Sequence, residues 1–122
     1  MRREDLYLYD IVEAADAIAR FVARSSRSEF ANDDLTSSAV LQKLSIIGEA
    51  AARLSEGFRA SKANVPWREI IAFRNIAVHA YFAVDWEMVW RTATDDAPAL
   101  REAVAEILKQ EFPETFQRLP PR

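Results

Sequence analysis

The sequence predicts an all-α fold, an antiparallel bundle of four to five helices forming a single domain over residues 1–122, with its core over about 4–110 and a C-terminal tail over 111–122. Three observations predict it. Apolar residues recur every three or four positions through four long stretches, the pattern of helices that bury one face. Only two glycines, Gly48 and Gly57, occur in 122 residues, and the five prolines mostly punctuate the ends of stretches, which disfavours a turn-rich β fold. Half of the residues are hydrophobic, enough for one core in a chain too short for a second domain. Short connections make neighbouring helices antiparallel.

The first helix is predicted over residues 4–24. Leu8, Ile11, Ala15, Ile18 and Val22 keep the helical interval, and Tyr7, Ala14 and Phe21 widen the stripe. Acids lie toward its start and Arg20 and Arg24 at its end, the order that suits the helix dipole. A break follows. Within it Ser26 and Glu29 have capping-box spacing, so a short turn is expected over 27–31, with Phe30 pinning it to the core. Asn32, Asp33 and Asp34 then offer an N-cap for a second helix over 34–55.

Val40, Leu41, Leu44, Ile47, Ala51 and Leu54 form the buried stripe of that helix, and Gly48 interrupts it. A helical glycine costs up to about 1 kcal/mol relative to alanine. Close approach of another backbone is a physical reason to tolerate it, and Gly48, Ala51 and Ala52 together would allow a tight crossing. Glu49 and Arg53 form an i,i+4 surface pair in the favourable order. Residues 56–65, with Gly57, are expected to end the helix and form a loop.

Pro66 opens the third helix. Trp67, Ile70, Phe73, Ala77 and Tyr81 make one apolar line, and Ile71, Arg74 and Val78 the adjacent one. Arg74 thus sits between aliphatic positions, where a lone charge is costly to bury, and is expected to face a cleft or a partner. Asp85 is a candidate N-cap for a fourth helix over 86–110, which Pro98 should kink or divide, with 94–96 able to cap the second half. The proline-containing tail is expected to be irregular.

Charge and composition limit the function. A net charge of −3 argues against a broad nucleic-acid surface. A local basic site remains open, since the stretch from Arg53 to His79 carries five Lys/Arg (Arg53, Arg59, Lys62, Arg68, Arg74) against two acids. The absence of cysteine rules out disulfides and thiolate metal sites. No apolar run approaches membrane-spanning length and no signal peptide precedes Met1, so the expectation is a cytoplasmic protein with no membrane partner.

The stretch Arg74-Asn75-Ile76-Ala77-Val78-His79-Ala80-Tyr81 carries the candidate chemistry. His79 is the chain's one histidine, and histidine is the side chain whose unperturbed pKa lies near neutrality. Arg74 brings a permanent charge whose fork matches phosphate. Five residues of helix separate the two by about 7.5 Å of rise and about 140° of rotation. They share a cleft if the helix ends near His79, or if a second copy faces the first. A salt-bridged arginine with a solvated or capping histidine is the competing reading.

These features resemble the HEPN-domain proteins of the HepT toxin group. The resemblance is carried by Ile46-Ile47-Gly48-Glu49-Ala50-Ala51, by Pro66-Trp67, by Asp85-Trp86, and above all by Arg74, His79 and Tyr81 in the family's arginine–four residues–histidine–any–tyrosine order. It covers roughly residues 4–108. It implies a metal-independent endoribonuclease without cofactors, built as an α-helical homodimer whose two motifs form one composite site. Arg74 and His79 match the family's catalytic residues, and Asn75 matches a supporting polar residue. It further implies a toxin of a type VII-like toxin–antitoxin module, acting on RNA and neutralised by a minimal nucleotidyltransferase antitoxin that transfers AMP to Tyr81. Two other classes stay open: a noncatalytic nucleotide-binding or regulatory subunit of a nucleotidyltransferase complex, and a structural helical dimer whose motif residues are interface salt bridges.

Overall fold

The computed structural model describes residues 3–79 and 85–121. Among them the secondary structure is helical throughout, with no strand. The order is α1 (Glu4–Val22), α2 (Arg27–Phe30), α3 (Asp34–Arg53), α4 (Glu56–Ser61), α5 (Trp67–His79), α6 (Trp86–Arg91), a π-helical turn (Thr92–Asp96), α7 (Ala97–Glu111) and α8 (Pro113–Gln117).

The long helices pack because each presents the apolar stripe that its sequence carries. Leu8, Ile11, Val12 and Ile18 of α1, Val40, Leu44 and Ile47 of α3, and Val104 and Leu108 of α7 are all fully buried. α1 lies in the middle, between α3 and α7, and α3 packs its other side against α5. One apolar cluster runs through these helices. Phe30 of α2 is buried as expected, its ring 5.1 Å from that of Trp90 and 6.1 Å from that of Trp86.

Two of the predicted caps form. Asp33 accepts the Thr36 N–H at 3.1 Å and starts α3, and Asp85 accepts the Met88 N–H at 3.2 Å and starts α6. At α2 the helical turn forms, but the Ser26 hydroxyl donates to Glu29 Oε1 at 2.8 Å and caps no backbone N–H.

The structure corrects three expectations. Part of the stretch 56–65 is a helix, not a loop. Ser55 accepts the Phe58 N–H at 3.1 Å and begins α4, which Gly57 does not interrupt. The Ser55 N–H in turn donates to Glu4 Oε1 at 3.1 Å, tying this junction to the start of α1. The long C-terminal helix is divided ahead of Pro98, yet 94–96 do not cap its second half: Asp96 makes no capping bond, and the Thr92 and Thr94 hydroxyls donate to the Met88 and Trp90 carbonyls at 2.9 Å. Pro98 has no N–H to give the Thr94 carbonyl and its ring crowds that oxygen, so the chain widens into a π turn there. Hydroxyls bonded back four residues favour the same bend.

The third correction concerns the tail. Residues 113–117 form α8 rather than an irregular end. Thr115 is buried and its hydroxyl donates to the carboxylate of Asp5, itself 4% exposed and also bound by Arg3. Phe112, Phe116 and Leu119 pack against the core.

Candidate active site

α5 positions the candidate residues. Trp67 and Ile70 are buried and Phe73 is half-buried, so the side of the helix bearing them faces the bundle. The indole N–H of Trp67 donates to the Lys62 carbonyl at 3.0 Å, which anchors the helix start. Arg68 and Asn75 are exposed.

Arg74 lies at the crossing of α5 with α3. That crossing is close because position 48 is glycine: a β-carbon at Gly48 would stand 2.7 Å from the Arg74 backbone nitrogen, 3.1 Å from the Arg74 β-carbon and 3.1 Å from the Ile70 carbonyl oxygen. The next residue on α3, Glu49, is thereby brought to the guanidinium. Arg74 Nη1 donates to Glu49 Oε2 at 3.3 Å, while Arg53 Nε donates to Glu49 Oε1 at 3.2 Å. One carboxylate holds two guanidiniums.

The Arg74 side chain is 41% exposed. A fully buried guanidinium would pay a large desolvation cost and a fully solvated one would be screened and mobile. Half-exposed and tethered through one nitrogen, it has further N–H donors besides the one given to Glu49. The expected Glu49–Arg53 surface pair is present, but the residue-by-residue reading of α3 did not join Glu49 to Arg74, twenty-five positions away. Only the helix crossing creates that contact, and Gly48 was its sequence signal.

His79 is the last residue of α5 as described, so Arg74 and His79 share one helix and keep the offset of about 140° between their positions. The side-chain environment of His79 lies outside the described residues, and so does Tyr81 altogether. Among the described residues no group of three His, Cys, Asp or Glu is arranged to hold a metal, and no helix is long and apolar enough to cross a membrane.

Comparison with known proteins decides the family. The model of the family described as "Ribonuclease HepT-like" matches residues 11–107, which includes Gly48, Glu49, Arg74, Asn75, His79 and Tyr81. The chain belongs to the HepT-like ribonuclease family. Several curated relatives agree over nearly their whole length. A "Putative RNase" of Methanocaldococcus jannaschii is 37% identical over 98 residues, 80% of this chain and 90% of the relative. The "Probable ribonuclease HepT" of Thermococcus cleftensis is 36% identical over 103 residues, 84% of this chain and 94% of the relative. A "Putative RNase" of Caldanaerobacter subterraneus subsp. tengcongensis is 34% identical over 105 residues, 86% of this chain and 94% of the relative. No solved structure matches the chain significantly. In this HepT-like ribonuclease the tethered Arg74 guanidinium and the chain's one histidine lie on the same helix.

Proposed function

We propose that this chain is the toxin of a toxin–antitoxin module and cuts RNA internally, as a homodimer whose two Arg74–His79 motifs form one composite site. The observation that carries the reading is the half-exposed Arg74 guanidinium, which lies on the same helix as His79 and is held by Glu49 of α3. Because the two positions diverge around α5, a second α5 supplies what one helix turns away.

The chemistry is an internal transesterification. His79 accepts the proton of a ribose 2′-hydroxyl, whose oxygen attacks the adjacent phosphorus. The 5′-oxygen leaves and takes up a proton from the second imidazole of the pair. The products are a 2′,3′-cyclic phosphate end and a 5′-hydroxyl end. Arg74 meets the charge that grows on the phosphoryl oxygens, and Asn75, one residue on, supports the strand beside it. The route needs no metal: the histidines move the proton and the arginines carry the charge. A nucleotidyltransferase antitoxin silences the site by placing AMP on Tyr81, adding negative charge and bulk where RNA must lie.

The test is cleavage of a labelled RNA in EDTA by the wild type, Arg74→Ala and His79→Ala, with sedimentation of each. The wild type is expected to sediment as a dimer at micromolar concentration and to leave cyclic phosphate ends, and both variants to be inactive with unchanged helical content. Full cleavage by His79→Ala overturns the catalytic assignment, since the chain has no other histidine and no cysteine. A dimer that binds nucleotide but never cuts RNA makes it a regulatory subunit instead.

A further inference from the structure

The five basic residues between Arg53 and Arg74 divide into two groups. Arg53 and Arg74 are held by Glu49, and Lys62 is paired with Glu111. Arg59 and Arg68 have no ion-pair partner among the described residues, and these two line one open groove between α4 and α5, of about 400 Å³, with Ala60, Trp67 and Ile71. No acid lines it. Two guanidiniums with no counter-charge among the described residues, side by side on one shallow, open surface, suit an anion that repeats along a chain.

The groove is aligned with the motif. From Arg68 the helix positions Ile71, Asn75 and His79 follow at three, seven and eleven residues, and at about 100° per residue the last two fall within roughly 20° of the Arg68 direction. Arg68 and His79 are then about 16.5 Å apart along one line of α5. A strand held at His79 and running toward the start of α5 passes Asn75 and arrives between Arg68 and Arg59.

We propose that this groove is a phosphate-binding subsite for single-stranded RNA flanking the scissile bond. It rests on the ribonuclease reading for its substrate. The contacts are to the backbone and not to bases: Trp67 is 7% exposed with its N–H committed to the Lys62 carbonyl, so its ring walls the groove and offers no stacking face. Recognition here is therefore indifferent to base sequence and fixes the register of the strand relative to His79. The net negative charge of the whole chain leaves this local pair to draw the strand.

The experiment is binding of RNA oligonucleotides of about 4 and about 16 nucleotides to the full chain, at several salt concentrations. His79→Ala is the background, so that nothing is cut during titration. Arg59→Gln with Arg68→Gln is expected to weaken the longer RNA roughly tenfold, to erase most of its advantage over the shorter one, and to lower the magnitude of the salt slope by about 1.4, at about 0.7 per lost single-strand phosphate contact. Arg68→Glu alone, at an exposed position, gives the same sign if the double variant folds poorly. Lys43→Gln with Lys109→Gln removes equal charge elsewhere and is expected to leave binding unchanged. An unaltered affinity and salt slope in the groove variants overturns the subsite, and so does an equal loss in the lysine pair. Cleavage by the His79-containing protein separates the two readings. A chain that binds through Arg59 and Arg68 but never cuts loses the ribonuclease reading and keeps the subsite. One that cuts while its binding ignores both arginines loses only the subsite.

Discussion

A β-carbon at Gly48 would stand 2.7 Å from the backbone nitrogen of Arg74, so the glycine on α3 sets how deeply α5 can seat and where the guanidinium begins. The atoms it would strike are backbone and a β-carbon, not the far end of a flexible side chain. α5 itself must therefore shift to admit a methyl group.

Gly48→Ala is thus expected to destabilise the protein, although alanine is the better helix former. Propensity returns up to about 1 kcal/mol, while overpacking at a backbone crossing costs about 1–3 kcal/mol, leaving a net loss of up to about 2 kcal/mol. Gly57→Ala is the internal contrast. A β-carbon there meets nothing within 4 Å and no glycine has positive φ, so stability should rise by about 0.4–1 kcal/mol. Urea denaturation of both variants checks the opposite signs. Equal stabilisation would mean that α5 moves aside freely.

Glu49 is expected to matter to turnover more than to folding. Its two ion pairs are half-exposed, so Glu49→Ala should change stability by under about 1 kcal/mol. Without the carboxylate the Arg74 guanidinium loses its fixed direction, and a misplaced catalytic charge costs roughly ten- to a hundredfold in kcat. KM should not rise, because removing an anion beside a guanidinium does not weaken its pull on phosphate. Steady-state cleavage kinetics separate the two constants, and an unchanged kcat would show that Arg74 is oriented without Glu49.

Local signals carried most of the fold. The apolar intervals of α1 and α3, the Asp33 and Asp85 caps, the burial of Phe30 and the need for a close approach at Gly48 were all legible within a few residues of sequence. What escaped depended on partners far along the chain or on rival uses of a side chain. The Ser55 cap was hidden by Gly57, which reads as a helix end but sits inside α4. α8 is held by a bond from Thr115 to Asp5, 110 residues away, and nothing local announces it beyond Pro113 at its first position. Thr94 had the chemistry of a cap but spends its hydroxyl on the preceding turn. At the site, Arg74 and Asn75 stand on α5 as expected from the motif, while the pairing of Arg74 with Glu49 required the helix crossing to be seen.

Acid should act on the start of α3 through Asp33. Hydrogen bonds from the Thr36 side chain and backbone N–H hold the Asp33 carboxyl below its ordinary value. A carboxyl depressed in the folded state contributes stability that is fully present above its unfolded pKa of about 3.9 and is lost as pH falls through the lower folded value. The wild type should therefore be more stable than Asp33→Ala at neutral pH, with the gap closing as pH drops below about 3.9. Thermal midpoints of the two proteins across this range check it, and a gap that stays constant into acid would show that the ionised carboxylate is not what caps the helix.

Tyr81 is expected to be the point of regulation rather than a catalyst. A phenol with a pKa near 10 is a poor base at neutral pH, but its oxygen can attack the α-phosphorus of ATP, forming a phosphodiester to AMP and releasing pyrophosphate. Tyr81 follows His79 by two residues in the chain, and on the proposed reading AMP placed there adds negative charge that repels RNA. Tyr81→Phe keeps the ring and removes only the nucleophilic oxygen. It should fold, assemble and cut RNA at close to the wild-type rate, yet resist neutralisation by a nucleotidyltransferase partner supplied with ATP. Intact-mass spectrometry after that incubation should show AMP on the wild type and none on Tyr81→Phe. Equal labelling of both would place the acceptor on another residue and leave Tyr81 as a packing side chain at the end of the Trp67, Ile70 and Phe73 line.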